Sequence, residues 1–430
     1  MQQSTNDALR RRCGWALSLV ALVFSSWTMA ADEAASIKHG EYLAHAGDCA
    51  ACHTAPNGEL YAGGLKMTTP VGAIYSSNIT PDQKNGIGRY TLADFTQALR
   101  KGIAKDGRHL YPAMPYPAFS KISDSDIGDL YQYFMHGVPA VGRENQQSDI
   151  AFPLNMRWPL AVWNRLFLDK GRYQSDPQKS AEWNRGAYLV QGLGHCGACH
   201  TPRGIAFEEK ALDQHDAAYL SGGTLEGWHA ANLRGDLRSG LGTWSVDDIS
   251  QFLQTGHTAN TAAFGSMVAV IQDSIQHLND GDRHAIAVYL KSLPESGREP
   301  KPQYNAQTYQ ALSRGDVLQR GAQTYLDNCA GCHLTTGKGE KNAFPQLAQN
   351  PVITSDDPSS LLQVILRGSR APLTQQSPTG LTMPGFAERL NDPQIADLAN
   401  FIRNGWGNQA PQVSISQVRE MRKLTEPVKR

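Results

Sequence analysis

Six of the seven cysteines occur as three pairs, and a histidine directly follows each pair. The resulting C-x-x-C-H segments are Cys49–His53, Cys196–His200 and Cys329–His333. Cysteines three positions apart share one face of a helical turn, so both thiols can form thioethers with one porphyrin. The following histidine then offers a ring nitrogen to the iron as proximal ligand. We therefore predict three covalently bound haems c, attached through Cys49, Cys52, His53, Cys196, Cys199, His200, Cys329, Cys332 and His333.

The C-x-x-C spacing also occurs in zinc sites and in thiol redox sites. A zinc site usually brings a second pair of ligands within about 12–20 residues, whereas the pairs here start 147 and 133 residues apart. A thiol redox site needs no histidine after its second cysteine. The seventh cysteine, Cys13, lies in a predicted signal peptide, so the mature chain has no thiol left for a disulfide.

A six-coordinate haem needs a second axial ligand, which in cytochromes c is usually methionine. Met114 and Met383 follow the first and third haem histidines by 61 and 50 residues, and neighbouring prolines stiffen their loops. Met267 follows the second by 67 residues, without a proline. His109 and His257 are the alternative distal ligands. The predicted iron ligands are His53, Met114, His200, Met267, His333 and Met383.

An internal repeat surrounds the three segments. Gly40, Gly186 and Gly321 stand nine, ten and eight residues before the first cysteine of their pairs. Each unit closes with apolar side chains at helical spacing, preceded by acidic residues that suit the positive end of a helix. We expect each glycine to let an N-terminal helix cross closely over this closing helix. The predicted fold class is mainly α, with three tandem class I cytochrome c domains and long loops.

Composition and periodicity also predict the domain boundaries. They are a signal peptide at 1–30, domain 1 at 31–136, an ordered connector at 137–180, domain 2 at 181–293, a linker at 294–313, domain 3 at 314–408 and a C-terminal tail at 409–430.

The N-terminus has the order of a secretory signal peptide. Arginines at 10–12 precede an apolar run from Trp15 to Phe24, and small residues around Ala30 suit cleavage. The run is too short to span a membrane, and an uncleaved interfacial helix is the alternative. We therefore expect the mature protein in the periplasm.

Several other function classes are disfavoured. The 40 basic and 40 acidic residues balance, which argues against a nucleic acid partner. Gly192, Gly194 and Gly197 match the dinucleotide pattern G-x-G-x-x-G, but they overlap the second haem segment and follow no strand-like run. We identify no substrate-oxidising site and no catalytic residue. His195, beside Cys196, is interpreted as a surface or structural residue.

The last residues combine basic and apolar side chains. Two interpretations are open, an amphipathic helix on an anionic membrane or partner surface and a solvated tail. The side chains concerned are Ile415, Val418, Arg419, Met421, Arg422, Lys423, Leu424, Lys429 and Arg430.

Longer segments outside the haem motifs carry a family resemblance. They include Ser76–Pro81, Leu110–Tyr116, Asn155–Leu160 and Trp183–Leu189. With them the chain resembles the triheme cytochrome c subunits of bacterial membrane-associated dehydrogenases, such as gluconate 2-dehydrogenase and the quinoprotein alcohol dehydrogenases. The resemblance covers nearly the whole mature chain, and it implies His53, His200 and His333 as proximal and the three methionines as distal ligands.

The resemblance also implies a role in a complex. A separate catalytic subunit with flavin or PQQ would oxidise the substrate. The resemblance favours a catalytic subunit of the gluconate 2-dehydrogenase type, and the alcohol dehydrogenase type is the second choice. Electrons would then pass through the three haems to ubiquinone. The protein would attach peripherally to the periplasmic face of the inner membrane, and a small third subunit would be a further partner. The alternatives are a stand-alone electron shuttle to a terminal oxidase and a haem enzyme of the peroxidase type.

Overall fold

The computed structural model describes residues 31–69, 71–169, 171–225 and 227–425. The signal peptide predicted at 1–30, with Cys13, lies outside the described residues, as do Lys429 and Arg430. The chain is mainly helical, with long loops between the helices. No helix in the described part of the chain is both long and apolar enough to span a membrane.

Most helices are short, and they alternate with irregular segments. In the first half they are α1 (31–46), α2 (Cys49–His53), α3 (Leu92–Lys101), α4 (Tyr116–Phe119), α5 (Asp124–Gln132), α6 (Pro159–Phe167), α7 (Ala181–Tyr188) and α8 (Gly197–His200). In the second half they are α9 (Val246–Thr255), α10 (Ser266–Ala269), α11 (Asp280–Lys291), α12 (Gln307–Ser313), α13 (Ala322–Asn328), α14 (Ala330–His333), α15 (Pro351–Thr354), α16 (Ser359–Arg367), α17 (Asp392–Asn404) and α18 (Ile415–Thr425). Three segments form π-helical turns, Tyr133–Gly137, Leu189–Leu193 and Val270–Ser274, and Ile275–His277 forms a 3₁₀ turn.

Three small antiparallel sheets complete the secondary structure. β1 (Lys66–Thr69), β2 (Gly72–Tyr75) and β3 (Asp149–Ile150) form one sheet, in that order. β4 (Gly223–Leu225) pairs with β5 (Trp228–Ala230), and β6 (Gly368–Arg370) pairs with β7 (Thr382–Pro384). The last hairpin places the predicted ligand Met383 in an ordered strand opposite Ser369.

The close helix crossing predicted from the three glycines is confirmed. A Cβ atom added at Gly40 or Gly186 would lie 2.0 Å from a backbone carbonyl oxygen of α5 or α11. At Gly321 the distance to a carbonyl oxygen of α17 would be 2.3 Å. No side chain fits at these distances, so the crossing of first and last helix in each unit depends on glycine.

The three closing helices begin in the same way. Ser123, Asn279 and Asn391 precede α5, α11 and α17, and each side chain accepts a hydrogen bond from a backbone N–H of the first turn. Acidic residues occupy the first turn of all three helices, as predicted. The favourable interaction with the helix dipole therefore repeats along the chain.

The buried apolar side chains form two cores. One core is continuous between residues 43–138 and 183–293, so the first two C-x-x-C-H units share it. The other contains buried residues from Leu312 to Met421 and belongs to the third unit. Leu312, within the segment predicted as a linker, is buried in this second core.

The described residues of the predicted connector, 137–169 and 171–180, contact both of the first two units. Asn164 of α6 accepts a hydrogen bond from the Tyr116 hydroxyl at 2.7 Å and donates one to the carbonyl of Lys101 at 2.8 Å. The Trp163 ring N–H donates to the carbonyl of Ala206 at 2.9 Å. The connector thus bonds to the loop that carries Met114 and to the loop that follows the second haem segment.

The apolar face of the C-terminal helix packs against the protein itself. Val418 and Met421 of α18 are buried against α16 and α17. Arg422 donates to Asp392 at 2.7 Å and fixes the helix against the start of α17. The interpretation as a solvated tail is therefore wrong for 415–425. The predicted amphipathic helix exists, but domain 3 covers its apolar side.

Candidate haem-binding sites

Each C-x-x-C-H segment forms one short helical turn. The first is α2, and the other two are α8 and α14 with Cys196 and Cys329 directly before them. The two cysteines of each pair are thus one turn apart on the same side of the helix. This local structure fits two thioether bonds to one porphyrin.

The haem histidines are oriented alike in all three units. Their Nδ1 atoms contact backbone carbonyl oxygens, and the pairs are His53 with Ser77 at 2.7 Å, His200 with Ala231 at 2.6 Å and His333 with Pro345 at 2.9 Å. Nδ1 therefore carries the hydrogen and Nε2 keeps its lone pair. Metal-binding histidines are oriented in this way by their outer contacts.

The electrostatic environment favours the ligand form of these histidines. Burial lowers the pKa of His53, His200 and His333 and outweighs the carbonyl hydrogen bond, which raises it. The neutral imidazole, which alone can bind iron, is therefore the major form near pH 7. The donor set and its protonation fit a haem iron in each unit.

The buried thiols do not have the properties of a redox pair. Burial is the main cause that raises the pKa of Cys49, Cys196 and Cys329 to about 12. Reactive thiols instead have a lowered pKa. Among the described residues, the group of possible metal ligands that lie close together contains no cysteine and consists of His39, Asp126 and Asp129. Both alternatives to haem are therefore disfavoured by the geometry.

A cavity lined mainly by the third unit, with Thr261, Ala262 and Phe264 of the second unit, is bordered by the predicted ligands of the third unit. About 710 Å³ of space, open solvent at the mouth included, is lined by Cys329, His333 and Met383. The remaining lining is mostly apolar, for example Leu361 and Phe386. An apolar cavity with a few polar donors is the usual form of a cofactor site. Cys329, His333 and Met383 are the residues of this cavity that would hold a haem, by a thioether bond and by two iron ligands.

The first two units bring methionine and cysteine to their shared core. Met114 and Met267 are partly buried and pack against this core, as do Cys49 and Cys196. Both methionines and both first cysteines thus border the same apolar core.

Comparison with known proteins decides the family. The cytochrome c family model matches residues 37–137 and 318–406. The gluconate 2-dehydrogenase cytochrome c subunit of Pantoea cypripedii is 50% identical over 418 residues, which cover 94% of this chain and 95% of that protein. The chain belongs to this family of dehydrogenase cytochrome c subunits.

Two further relatives of this cytochrome c subunit come from other dehydrogenases. The cytochrome c subunit of alcohol dehydrogenase (quinone) from Gluconobacter oxydans (strain 621H) is 46% identical, covering 96% of this chain and 89% of that protein. The fructose dehydrogenase cytochrome subunit of Gluconobacter japonicus is 38% identical, covering 90% and 82%. All are cytochrome subunits, which confirms the prediction of an electron-transfer subunit without a substrate-oxidising role of its own.

The two alternative distal ligands of the cytochrome c subunit have different surroundings. His257 Nε2 lies 3.2 Å from the hydroxyl of Ser377 in the third unit, and the ring lines a cavity of about 390 Å³ between the two units. Both His109 and His257 have a buried Nδ1 without a hydrogen-bond partner. His109 therefore stays the alternative to Met114, and His257 stays the alternative to Met267.

Sequence reasoning missed the carbonyl groups that orient the haem histidines. Their distances from the histidines are 24, 31 and 12 residues, so no common spacing marks them. One signal was available in the first two units. The acceptor residues Ser77 and Ala231 stand in the similar segments Ser-Ser-Asn-Ile and Ala-Ala-Asn-Leu.

Proposed function

We propose that this cytochrome c subunit carries three covalent haems c and passes electrons from a catalytic dehydrogenase subunit to ubiquinone. The observation that carries the proposal is the threefold arrangement of the haem histidines, each with Nδ1 held by a carbonyl and Nε2 free. The second unit, which the family model does not match, has the same arrangement at His200 as the other two. This repetition supports three haem domains in tandem.

The roles of the chain's residues follow from this proposal. The cysteine pairs tether the haems, and His53, His200 and His333 bind iron from one side. Met114, Met267 and Met383 are the proposed distal ligands. When bound, each haem supplies a one-electron couple whose potential depends on axial ligands, hydrogen bonds and burial. The protein contributes fixed ligands, apolar surroundings and the relative positions of the sites.

The names of the relatives support a complex with a sugar- or alcohol-oxidising enzyme. The 50% identical relative belongs to gluconate 2-dehydrogenase, and others belong to alcohol and fructose dehydrogenases. We favour a flavin-containing catalytic subunit of the gluconate type, with a PQQ-containing alcohol dehydrogenase as second choice. The word quinone in the name of the alcohol dehydrogenase relative supports a quinone acceptor. We further propose export by the signal peptide and peripheral attachment to the periplasmic face of the inner membrane.

Purification from the native host tests this function. The subunit, tagged at its C-terminus, should co-purify with a dehydrogenase, and gluconate should reduce its haems. Added ubiquinone analogue should then reoxidise them. A chain that purifies alone and exchanges electrons only with a terminal oxidase would support the stand-alone shuttle instead.

A further inference from the structure

The haem attachment segments of the first two units are in direct contact. The carbonyl oxygen of Gly47 lies 3.3 Å from Nε2 of His195. A Cβ atom at Gly47 would lie 3.4 Å from the sulfur of Cys49 and 3.5 Å from a methyl carbon of Leu193. Gly47 therefore occupies the narrow space between the first tethering sulfur and the second unit.

This contact joins the two tethers by a short path. Gly47 is two residues before Cys49, and His195 is directly before Cys196. The path consists of covalent bonds and one hydrogen bond, with no gap between non-bonded atoms. Bonds and hydrogen bonds transmit electronic coupling better than such gaps do.

The backbone before the tethering cysteine is unusual in both units. Asp48 and His195 have φ angles of 49° and 34°, in the left-handed region that non-glycine residues seldom adopt. Such conformations persist where the surrounding structure fixes them, and they cluster at functional sites. Asn328 is at the same position in the third unit, where it ends the helix α13 instead. The feature therefore belongs to the pair of units in contact.

The surroundings of His195 define its hydrogen bond. The ring packs edge-on against Phe119, with centroids 5.6 Å apart. Burial lowers the pKa of His195 more than its hydrogen bonds raise it, so the ring is neutral near pH 7. A neutral imidazole can contact the Gly47 carbonyl through Nε2 only as a donor, so Nε2 carries the hydrogen. The ring is thus a fixed part of the contact. Of the two interpretations of His195, as a surface or as a structural residue, the contacts support the structural one.

Neighbouring contacts hold the two units in this position. The Ser274 hydroxyl donates to the carbonyl of His45 at 2.6 Å, and the rings of His45 and His277 stack 4.3 Å apart. The Tyr42 hydroxyl donates to Asp282 at 2.5 Å. Several contacts on both sides of Gly47 therefore fix the distance between the attachment segments.

We propose that the His195 imidazole is a positioning residue that bridges the first two haem sites and sets the rate of electron exchange between them. The inference rests on the proposed haems at Cys49 and Cys196. In the exchange, the iron of one site is oxidised from ferrous to ferric, and the iron of the other is reduced by that one electron. His195 keeps its hydrogen, so the step needs no proton transfer.

Two matched variants of the full-length holoprotein test the bridge. H195Q keeps an N–H donor at about the reach of Nε2, whereas H195N is one methylene shorter and loses the contact with Gly47. Asparagine tolerates left-handed backbone better than most residues, which protects the fold of the shorter variant. Both are made in a Met114→His background, because a second histidine lowers the potential of the first haem and changes its absorption. Pulse radiolysis then follows the electron from the first haem to the second.

We expect electron transfer from the first haem to the second to be about tenfold slower in H195N than in the parent. This is the lower end of the effect that removal of an outer contact has on the activity of a metal site. H195Q should transfer the electron at nearly the rate of the parent. Equal rates in all three proteins would overturn the proposal, and so would an equal fall in both variants, which indicates packing alone. If H195N fails to bind haem, H195S replaces it, because serine also lacks a donor at the reach of Nε2; a parent-like rate in H195S overturns the proposal. Haem counts below three in the parent itself would instead contradict the proposed function.

Discussion

The contact between the first and second units differs in kind from that between the second and third. The first two units share one apolar core, which includes Leu43 and Tyr133 on one side and Leu193 and Tyr289 on the other. The third unit has a core of its own around Tyr325. A shared core joins the free energies of unfolding of two units, because neither can open without exposing apolar surface of the other.

Polar groups provide much of the contact between the second and third units. The backbone N–H of Gln346 donates to the carbonyl of Asn260 at 2.9 Å. The Ser360 hydroxyl accepts from the N–H of His229 and donates to its carbonyl, both at 2.9 Å. Each such bond contributes about 0.5–1.5 kcal/mol. We therefore expect the first two units to unfold together and the third to unfold separately.

Removal of a haem tether gives the largest expected effect. The double variant Cys329→Ala with Cys332→Ala should lose one haem and destabilise the third unit only. The matched variant Cys196→Ala with Cys199→Ala should lose one haem and also lower the unfolding temperature of the first unit, because the two share a core. Haem content per chain and differential scanning calorimetry measure both effects. An unchanged transition of the first unit in the second variant would contradict the shared core.

A glycine substitution sharpens the same comparison. Gly186→Ala places a carbon atom 2.0 Å from the carbonyl oxygen of Ala285, and we expect a loss of about 3 kcal/mol, as for an overpacked core. The loss should appear in the joint transition of the first two units, whereas Gly321→Ala should affect the third alone. Gly128→Ala is the control, since no atom lies within 4 Å of its added carbon. Chemical denaturation should show it about 0.5–1 kcal/mol more stable than wild type, because alanine favours the helix over glycine.

An ion pair within the second unit, between Arg185 and Asp282, also accepts a hydrogen bond from Tyr42 of the first unit and gives a smaller, pH-dependent effect. Burial raises the pKa of Asp282, but the hydrogen bonds from Arg185 and Tyr42 lower it by more. The pKa of Asp282 is therefore below its ordinary value of 3.8. The ionised Asp282 carboxylate stabilises the folded protein above the ordinary pKa. This contribution to the free energy of unfolding is lost as the pH falls through the lowered pKa of the folded state. Asp282→Asn should cost about 2 kcal/mol at pH 7. The difference in the free energy of unfolding between variant and wild type should vanish in strong acid. Urea titrations over a pH series measure this difference, and one that persists in strong acid would contradict the prediction.

The smallest expected effect concerns the polar contact of the third unit. Ser360→Ala removes both hydrogen bonds to His229, and it should destabilise the third transition by about 1 kcal/mol. The joint transition of the first two units should stay in place. A shift of both transitions in calorimetry would mean that all three units unfold as one.

The sequence predicted the parts of the structure that depend on local spacing. The C-x-x-C-H turns and the crossing glycines follow from residue intervals within one or two elements. The shared core could not be predicted, because it depends on how separate units pack. The covered apolar face of α18 is a similar case, since Val418 and Met421 have the same helical spacing whether a membrane, a partner or domain 3 covers them. The contact of His195 with Gly47 could not be predicted either, because the two residues are 148 positions apart in the sequence.

The most direct test of three covalent haems is the mass of the exported protein under denaturing conditions. We predict a chain that starts near Ala31 and carries the added mass of three haems, each located by digestion on a peptide with one C-x-x-C-H segment. A peptide from Cys196–His200 with two free thiols, or an exported chain with fewer than three haems, would contradict the account.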